Sequence, residues 1–430
     1  MRILRAAGAS AAFGLVALGG VLAAPAAQAT TTHCLIINNA TDTSYTSLQS
    51  AQDAAAAGAT LWVRGTCTGT TQITKDLTIT GQHPRGFGAA TLNGNQAGTV
   101  LTINAGATVT INTLTITGGG STLFGFGGAS GIYNEGTVTL NGTSITGNNV
   151  RLNGSNFDYG GFGAIYNTGT VTLSNSSITG NSDNSGYDGG GIYSEGGTVT
   201  LSNTSITGNS PGGIDSQGAT VTLSNSSITR NTGGGIDSQG GTVTLKDSII
   251  SGNTGRGILN DSGGTVTLNG TSSISGNTAE WGGGIDNEGG TVTLNDSSSI
   301  TDNTVNDGAG GIDNNSGGTV TLNDTSSISG NFGFSGGGID NGGTVTLNGT
   351  STISGNFGYY SGGIGNGRGG TVTLNGTSTI TGNNAGGDQD GPFGGGIDNE
   401  GMVTGATADN ITGNTPVNCA PPGSVPGCSG

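Results

Sequence analysis

Hydrophobic and polar residues alternate in a short motif that recurs along most of the chain. The tripeptide Thr-Val-Thr, followed by Ile or Leu, occurs eleven times between Thr108 and Thr373, and its copies recur every 22 to 33 residues. In a β-strand, alternate side chains point to opposite faces, so Val138 and Leu140 would share one face and the threonines the other. A repeat period in this range predicts a solenoid.

Each repeat holds two further segments of this kind. Ser144-Ile145-Thr146 places one isoleucine inward, and a Gly-rich stretch then leads to segments such as Ile285-Asp286-Asn287, with Ile and Asn inward and Asp outward. A coil of three strands around an apolar axis, stacked on the next coil, buries all of these positions together. The sequence therefore predicts an all-β, single-domain parallel β-helix of about 14 three-stranded rungs, on the order of 65 Å long.

Insertions concentrate at one corner of the predicted coil. The spacing from the Val of Thr-Val-Thr to the Asn of Ile-x-x-Asn is 10 residues in the coils that start at Val138 to Val243. It is 11 residues in the coils that start at Val266 to Val403. The spacing from that Asn to the Ile of the third segment is between 5 and 17 residues. In repeat proteins, such a variable corner is often the binding face.

An asparagine ends the second segment of eleven coils. We interpret this column as structural, because stacked amides at a turn bond one another and satisfy backbone groups that would otherwise be buried unpaired. Its members are Asn148, Asn181, Asn209, Asn231, Asn253, Asn277, Asn303, Asn331, Asn356, Asn383 and Asn414.

The ends of the chain differ from the repeats. Residues 1–29 have the charged start, apolar run and small-residue cleavage site of a secretory signal peptide, so we expect a soluble, monomeric, extracellular product. Residues 30–75 are expected to form an N-terminal cap and first coil, residues 76–414 the β-helix repeats, and residues 415–430 a C-terminal tail. Thr46 or Ser47 is suited to cap a short helix that continues through Ala55 and covers the first coil.

All four cysteines lie outside the repeats, and export favours disulfides. Of the three possible connectivities, Cys34–Cys67 with Cys419–Cys428 closes the shortest loops.

Composition and net charge limit the classes of molecule that the chain is expected to bind. The 91 glycines and 8% charged residues would suggest low complexity, but the apolar residues keep a fixed phase with the repeat. The net charge of −16 disfavours nucleic acid and anionic lipid, and no segment after the signal approaches the roughly 20 apolar residues of a membrane span. We therefore expect neutral or cationic partners, no nucleic acid and no membrane insertion.

The motifs resemble those of a known group of proteins. The pairing of Gly283-Gly284-Ile285 with Ile206-Thr207-Gly208-Asn209 is similar to the Gly-Gly-x-Ile and Phe-x-x-Asn repeats of bacterial polymorphic surface proteins and adhesins. From about Thr46 to Asn414 the chain resembles the right-handed parallel β-helix proteins of the pectin-lyase-like superfamily. The resemblance implies a right-handed coil, secretion and surface interaction. Ile replaces Phe in the motif, and no translocator barrel follows, so autotransport is not implied.

These patterns suggest three functions: glycan binding, polysaccharide cleavage and, from the threonine array, ice binding. The first is binding of a polysaccharide or cell-surface glycan, because the variable corner collects aromatic residues that can stack on sugars beside Asp and Asn side chains. Some of these rings are alternatively expected to pack only on the coil below. The proposed ligand-binding residues are Tyr159, Tyr187, Trp281, Phe334, Tyr359 and Tyr360, with Phe157, Phe162, Phe332, Phe357 and Phe393 in the same set.

The second function is polysaccharide cleavage by a lyase or hydrolase, which the superfamily resemblance implies. Asp215 and Asp237 should lie on neighbouring coils, with Arg230, Lys246 and Arg256 near them where the variable loops are shortest. Against catalysis, neither histidine of the chain, His33 or His83, falls among the Thr-Val-Thr repeats that begin at Thr108.

Two further hypotheses concern regular columns. One column would contain three aspartates on consecutive coils, Asp286, Asp313 and Asp340. Bound calcium could relieve the repulsion between their carboxylates, but we favour simple solvation of these surface charges. No cofactor is expected to be required. The Thr-x-Thr array resembles that of β-helical ice-binding proteins, but threonine also has a high β propensity that explains it.

Overall fold

The computed structural model describes residues 33–120, 130–150, 163–183, 189–387 and 393–428, and the predicted signal peptide lies outside these ranges. The described chain winds into stacked coils whose strands form three long sheets. Each coil runs through the first, second and third sheet in turn and then rises to the next coil. The predicted parallel β-helix is confirmed. No helix within the described ranges has the length and apolar character needed to cross a membrane.

The first sheet is built mainly from the Thr-Val-Thr strands. Equivalent residues lie in register, so that Val138 pairs with Val109 on one side and Val171 on the other. At the N-terminal edge, two antiparallel strands that were not predicted from the sequence continue the sheet. In spatial order, the strands are Thr43–Tyr45, Leu35–Asn38, Ala59–Arg64, Leu77–Gln82, Thr108–Asn112, Thr137–Asn141, Thr170–Ser174, Thr198–Ser202, Thr220–Ser224, Thr242–Lys246, Thr265–Asn269, Thr291–Leu294, Thr319–Leu322, Thr344–Leu347, Thr371–Leu374 and Met402–Thr404.

The second and third sheets each contain 14 strands, in agreement with the predicted number of rungs. The second sheet consists of Thr66–Thr68, Thr91–Asn93, Thr115–Thr117, Ser144–Thr146, Ser177–Thr179, Ser205–Thr207, Ser227–Thr229, Ile249–Ser251, Ser273–Ser275, Ser299–Thr301, Ser327–Ser329, Thr352–Ser354, Thr379–Thr381 and Ile411–Thr412. The third consists of Thr71–Ile73, Leu101–Ile103, Ile132–Asn134, Ile165–Asn167, Ile192–Glu195, Ile214–Gln217, Ile236–Gln239, Ile258–Asp261, Ile285–Asn287, Ile312–Asn314, Ile339–Asn341, Ile364–Asn366, Gly394–Asn399 and Val417–Ala420.

Two small sheets lie at the corner between the second and third sheets, which we call the variable corner. They form because the inserted residues pair with the same positions of the next coil. One small sheet contains Asn149–Val150 and Ser182–Asp183, and the other contains Thr278–Ala279, Thr304–Val305, Phe332–Gly333, Phe357–Gly358 and Asn384–Ala385.

The core is a column of aliphatic side chains enclosed by the three sheets. Val266, Leu268, Ile274 and Ile285 represent one coil, and all four are fully buried. The asparagine column also lies inside, and each amide donates from Nδ2 to Oδ1 of the next asparagine, as Asn277 does to Asn303 at 3.0 Å. The structural interpretation of this column is therefore confirmed.

Both ends of the rod are closed. Helix α1, Leu48–Ala54, covers the first coil, and its N-cap Ser47 accepts a hydrogen bond from the backbone N–H of Ser50 at 3.2 Å. Disulfides Cys34–Cys67 and Cys419–Cys428 confirm the predicted pairing. The predicted C-terminal tail contributes the last strand of the third sheet, Val417–Ala420.

Candidate functional site

The variable corner carries a framework that positions side chains outside the rod. After each buried asparagine the chain turns outward and bonds to the coil below, as when the N–H of Thr304 donates to the carbonyl of Asn277 and that of Phe332 to the carbonyl of Asn303, at 2.9 and 2.8 Å. Because every coil repeats this contact, side chains of successive insertions lie one above another.

Six aromatic residues lie on this framework in two groups of contacting rings, which together we call the aromatic cluster. Two pairs stack with nearly parallel rings: Phe332 on Phe357 with centroids 5.3 Å apart, and Phe334 on Tyr359 at 5.0 Å. Edge-to-face contacts extend the second pair, with the Tyr360 ring 5.2 Å from Phe334 and 5.5 Å from the sixth member, Phe393.

The aromatic cluster is partly open to solvent. Phe332 is 47% exposed and Tyr360 43%, and Trp281, two rungs towards the N-terminus, is 45% exposed. Of the six proposed ligand-binding residues, the structure brings Phe334, Tyr359 and Tyr360 into contact and places Trp281 on the same corner. Tyr159 and Tyr187 lie outside the described residues, as do Phe157 and Phe162.

A second column of side chains runs along the outer face of the third sheet. It begins with a tyrosine ladder, in which Tyr166 stacks between Tyr133 and Tyr193 with centroids 4.8 and 5.6 Å away. This ladder was not predicted from the sequence, although each of its tyrosines directly follows a core isoleucine. In-register pairing continues the column through Asp215, Asp237, Leu259, Asp286, Asp313, Asp340, Gly365 and Asp398, whose six aspartates we call the acidic column.

The acidic column is not simply solvated, so that expectation is wrong. The insertions fold back over the third sheet, and a Cβ on Gly282 would lie 2.5 Å from the Cβ of Asp286. Asp286 is consequently 3% exposed, and burial raises the pKa of its carboxyl. Burial also raises the pKa of Asp313 to about 7, with the neighbouring Asp340 and Asp286 charges adding to the effect.

The residues proposed for catalysis divide between two corners. Asp215 and Asp237 are in register on the third sheet. Arg256 lies on the next coil after Asp237, with its Nε 2.7 Å from Oδ2 of Asp286. Burial raises the pKa of Asp237, while the charge of Arg256 opposes that shift. Arg230 directly follows a second-sheet strand and therefore lies at the variable corner, whereas Lys246 ends a first-sheet strand at a different corner. The expected grouping of all five residues does not form.

The calcium hypothesis finds three aspartates in one column but no ready-made ligand cage. Asp286, Asp313 and Asp340 pair in register as predicted. Asp286 already contacts Arg256. Within the described residues, no group of three or more His, Cys, Asp or Glu side chains is arranged to hold a metal ion.

An open polar groove of about 520 Å³ lies at the corner between the first and second sheets. It occurs where this corner is one residue shorter than in the later coils, a difference visible in the 10- and 11-residue spacings. The groove was not predicted from the sequence, and its lining contains no charged side chain. The lining residues are Gly142, Thr143, Ser144, Asn175, Ser176, Ser177, Asn203, Thr204, Ser205, Asn225 and Ser227.

Threonines form two straight columns on the outer face of the first sheet. Thr265 and Thr267 pair with Thr242 and Thr244 on one side, and the same pairing extends over eleven strands, from the one beginning at Thr108 to Thr371–Leu374. The regular array expected from the sequence is therefore present.

Comparison with known proteins supports the fold rather than a particular activity. Residues 160–332 match the family model described as right handed beta helix region. No curated protein and no solved structure gives a significant match. The family match and the register of the three sheets agree on architecture. The chain therefore folds as a right-handed parallel β-helix.

Proposed function

We propose that this chain is a secreted surface protein that binds polysaccharide or cell-surface glycans through its variable corner. The observation that carries the proposal is the aromatic cluster, in which Phe332, Phe334 and Tyr360 are each at least 39% exposed. Flat aromatic surfaces with neighbouring polar groups suit the apolar faces and hydroxyls of sugar rings. Two disulfides are compatible with an oxidising, extracellular environment.

The geometry also supports a rigid binding surface. The stacked pairs hold one another in place, so a ligand that contacts them immobilises few additional side chains. The backbone beneath is held by bonds to the next coil, including those of Tyr359 and Tyr360, whose N–H groups both donate to the Phe334 carbonyl at 3.0 and 3.1 Å.

Removing single rings is expected to weaken glycan binding. After a glycan array identifies a ligand, Phe334→Ala and Tyr360→Ala should each lower its affinity at least tenfold in calorimetry, because aromatic anchors carry much of the energy of such interfaces. Met402→Ala is the matched control, since Met402 is a 56% exposed apolar residue on the first sheet. Unchanged affinity in both ring variants would exclude this surface.

The same samples test catalysis. Reducing ends or unsaturated products that disappear in Asp215→Ala or Asp237→Ala would reassign the corner to polysaccharide cleavage. Parallel reactions with calcium and with a chelator report whether calcium contributes to either binding or cleavage.

Ordering of surface water by the first sheet is the second candidate function. The two threonine columns support it, because parallel strands repeat hydroxyl and methyl groups about every 4.8 Å along eleven rungs. If this function is correct, the chain will show thermal hysteresis and inhibit ice recrystallisation, and Thr244→Lys with Thr267→Lys will abolish both. Ser316→Lys, at an exposed turn between the third and first sheets, should leave both unchanged. Absence of both activities in the unmodified chain would remove this candidate.

A further inference from the structure

Acidic residues are distributed unevenly between the two halves of the chain. Residues 1–256 contain eleven acidic and nine basic residues, whereas residues 257–430 contain fifteen acidic residues and one basic residue, Arg368. Arg368 contacts Glu400 at 3.2 Å. Arg256, just before this half, contacts Asp286 at 2.7 Å. The aromatic cluster therefore lies in a strongly negative part of the rod. The two arginines nearest to it in the sequence, Arg256 and Arg368, both contact acidic side chains.

The open faces of the aromatic cluster point towards the N-terminal end of the rod. Phe332 stacks on Phe357 on its C-terminal side, so its opposite ring face looks onto the rung of Thr304, a smaller polar residue. On the other side of that rung is Trp281, whose Cε3 would lie 3.7 Å from a Cβ on Gly308. The Phe334 N–H donates to the Gly308 carbonyl at 3.0 Å. Trp281 and Phe334 thus lie on either side of the single rung that carries Thr304 and Gly308.

Three carboxylates lie on the rungs that these faces overlook. Glu280 is exposed and immediately precedes Trp281, and Asp302 is exposed one rung below the start of the Phe332 insertion. Asp307 is half-buried, and its Oδ1 accepts the N–H of Gly308 at 2.9 Å. Since neighbouring rungs are about 4.8 Å apart, a sugar chain stacked on Phe332 would pass close to these carboxylates.

We propose that the variable corner selects amino-sugar polysaccharides whose amines are free and protonated. This inference rests on the glycan-binding function proposed above and adds the chemical class of the ligand. Ammonium groups are attracted both to carboxylates and to aromatic faces, whereas a uronic acid polymer would be repelled by the same surroundings. The sugar rings would stack on Phe332 and Phe334 while their amines approach Glu280, Asp302 and Asp307.

The test compares hexamers of glucosamine, N-acetylglucosamine and galacturonic acid, together with hexalysine, by calorimetry at pH 6 in 50 and 300 mM salt. Glucosamine hexamer is expected to bind at least tenfold more tightly than the N-acetylated hexamer at low salt and to lose most of that advantage at high salt. The triple variant Glu280→Gln, Asp302→Asn, Asp307→Asn should reduce the ratio to below threefold. These isosteric changes keep the backbone contact of Asp307, and circular dichroism verifies the fold.

The matched control removes the same charge elsewhere. Glu288→Gln, Asp296→Asn and Asp324→Asn lie at the other two corners and should preserve the tenfold preference. Equal loss of the glucosamine preference in both triple variants would show that net charge alone attracts the polymer. Tighter binding of hexalysine than of glucosamine hexamer would identify a basic-peptide site. Either result overturns the inference. Preference for neutral or acidic hexamers overturns it while leaving glycan binding intact. No binding of any sugar, on this panel or a wider array, overturns both.

Discussion

Alanine at position 303 is expected to destabilise the β-helix by about 3–5 kcal/mol. The Oδ1 of Asn303 accepts from both the backbone N–H and the side-chain Nδ2 of Asn277 at 3.0 Å, and its own Nδ2 donates to the carbonyl of Ile274 at 3.1 Å. The site is fully buried, so water cannot replace these partners. Leaving each buried polar group without a partner costs about 1–3 kcal/mol.

Urea unfolding monitored by circular dichroism measures this loss, and hydrogen exchange at the Asn277 amide locates it. Asn303→Leu separates volume from hydrogen bonding, because it fills the site but leaves the same groups unpaired and should be nearly as destabilising. Asn306→Ala, at an exposed position of the same insertion, is the matched control and should cost under about 0.5 kcal/mol. Equal stability of Asn303→Ala and Asn306→Ala would contradict a stabilising role for the amide column.

Residues that repeat with the coil could be predicted from the sequence because each position has the same environment on every rung. Val266, Ile274 and Ile285 keep a two-residue alternation, which fixes which face is buried. The amide column was recognisable for a similar reason, since Asn303 recurs at one offset from an inward isoleucine. Cys34 and Cys67 pair because the N-terminal strands bring them together, as their short loop predicted.

The burial of an outward-facing strand residue beneath an insertion could not be predicted from the two-residue alternation. Asp286 follows an inward isoleucine and was correctly expected to point away from the axis, but the Gly-rich insertion then folds over it. That return depends on insertion length and on glycines that allow close approach, such as Gly282, rather than on strand periodicity. Lys246 shows a related limit, because closeness in sequence to Asp237 does not place it at the same corner.

Some of the aromatic contacts could be predicted from the sequence, and others could not. Phe334 and Tyr359 were expected at the variable corner from insertion length, and their stacking follows from the pairing of successive insertions. Tyr133, in contrast, occupies the outer position of a regular strand, where three consecutive coils present tyrosine and most later coils present aspartate. Its stacking on Tyr166 depends on which residue the next coil presents, so a comparison of outer positions across coils was needed to find it.

Stability is expected to fall as pH rises from about 4 to about 8, largely because of Asp313. Burial and the adjacent Asp340 and Asp286 carboxyls raise its pKa to about 7 in the folded chain, whereas an unfolded aspartate titrates near 3.9. Between these values the folded chain binds more protons than the unfolded chain, so raising the pH favours unfolding. The contribution is fully present below about pH 4 and is lost as pH passes about 7, with an upper bound of about 4 kcal/mol.

Asp313→Asn removes the titrating group while keeping its shape. It should match the unmodified chain at pH 4 and be more stable at pH 8 by up to about 4 kcal/mol, measured as the free energy of unfolding in urea at each pH. Relief of repulsion on Asp286 and Asp340 acts in the same direction. Asp296→Asn, which removes one charge at the corner between the first and second sheets, is the control and should leave the pH dependence in place. A variant no more stable than the unmodified chain at pH 8 would show that the insertions do not hold the Asp313 carboxyl in a desolvated site.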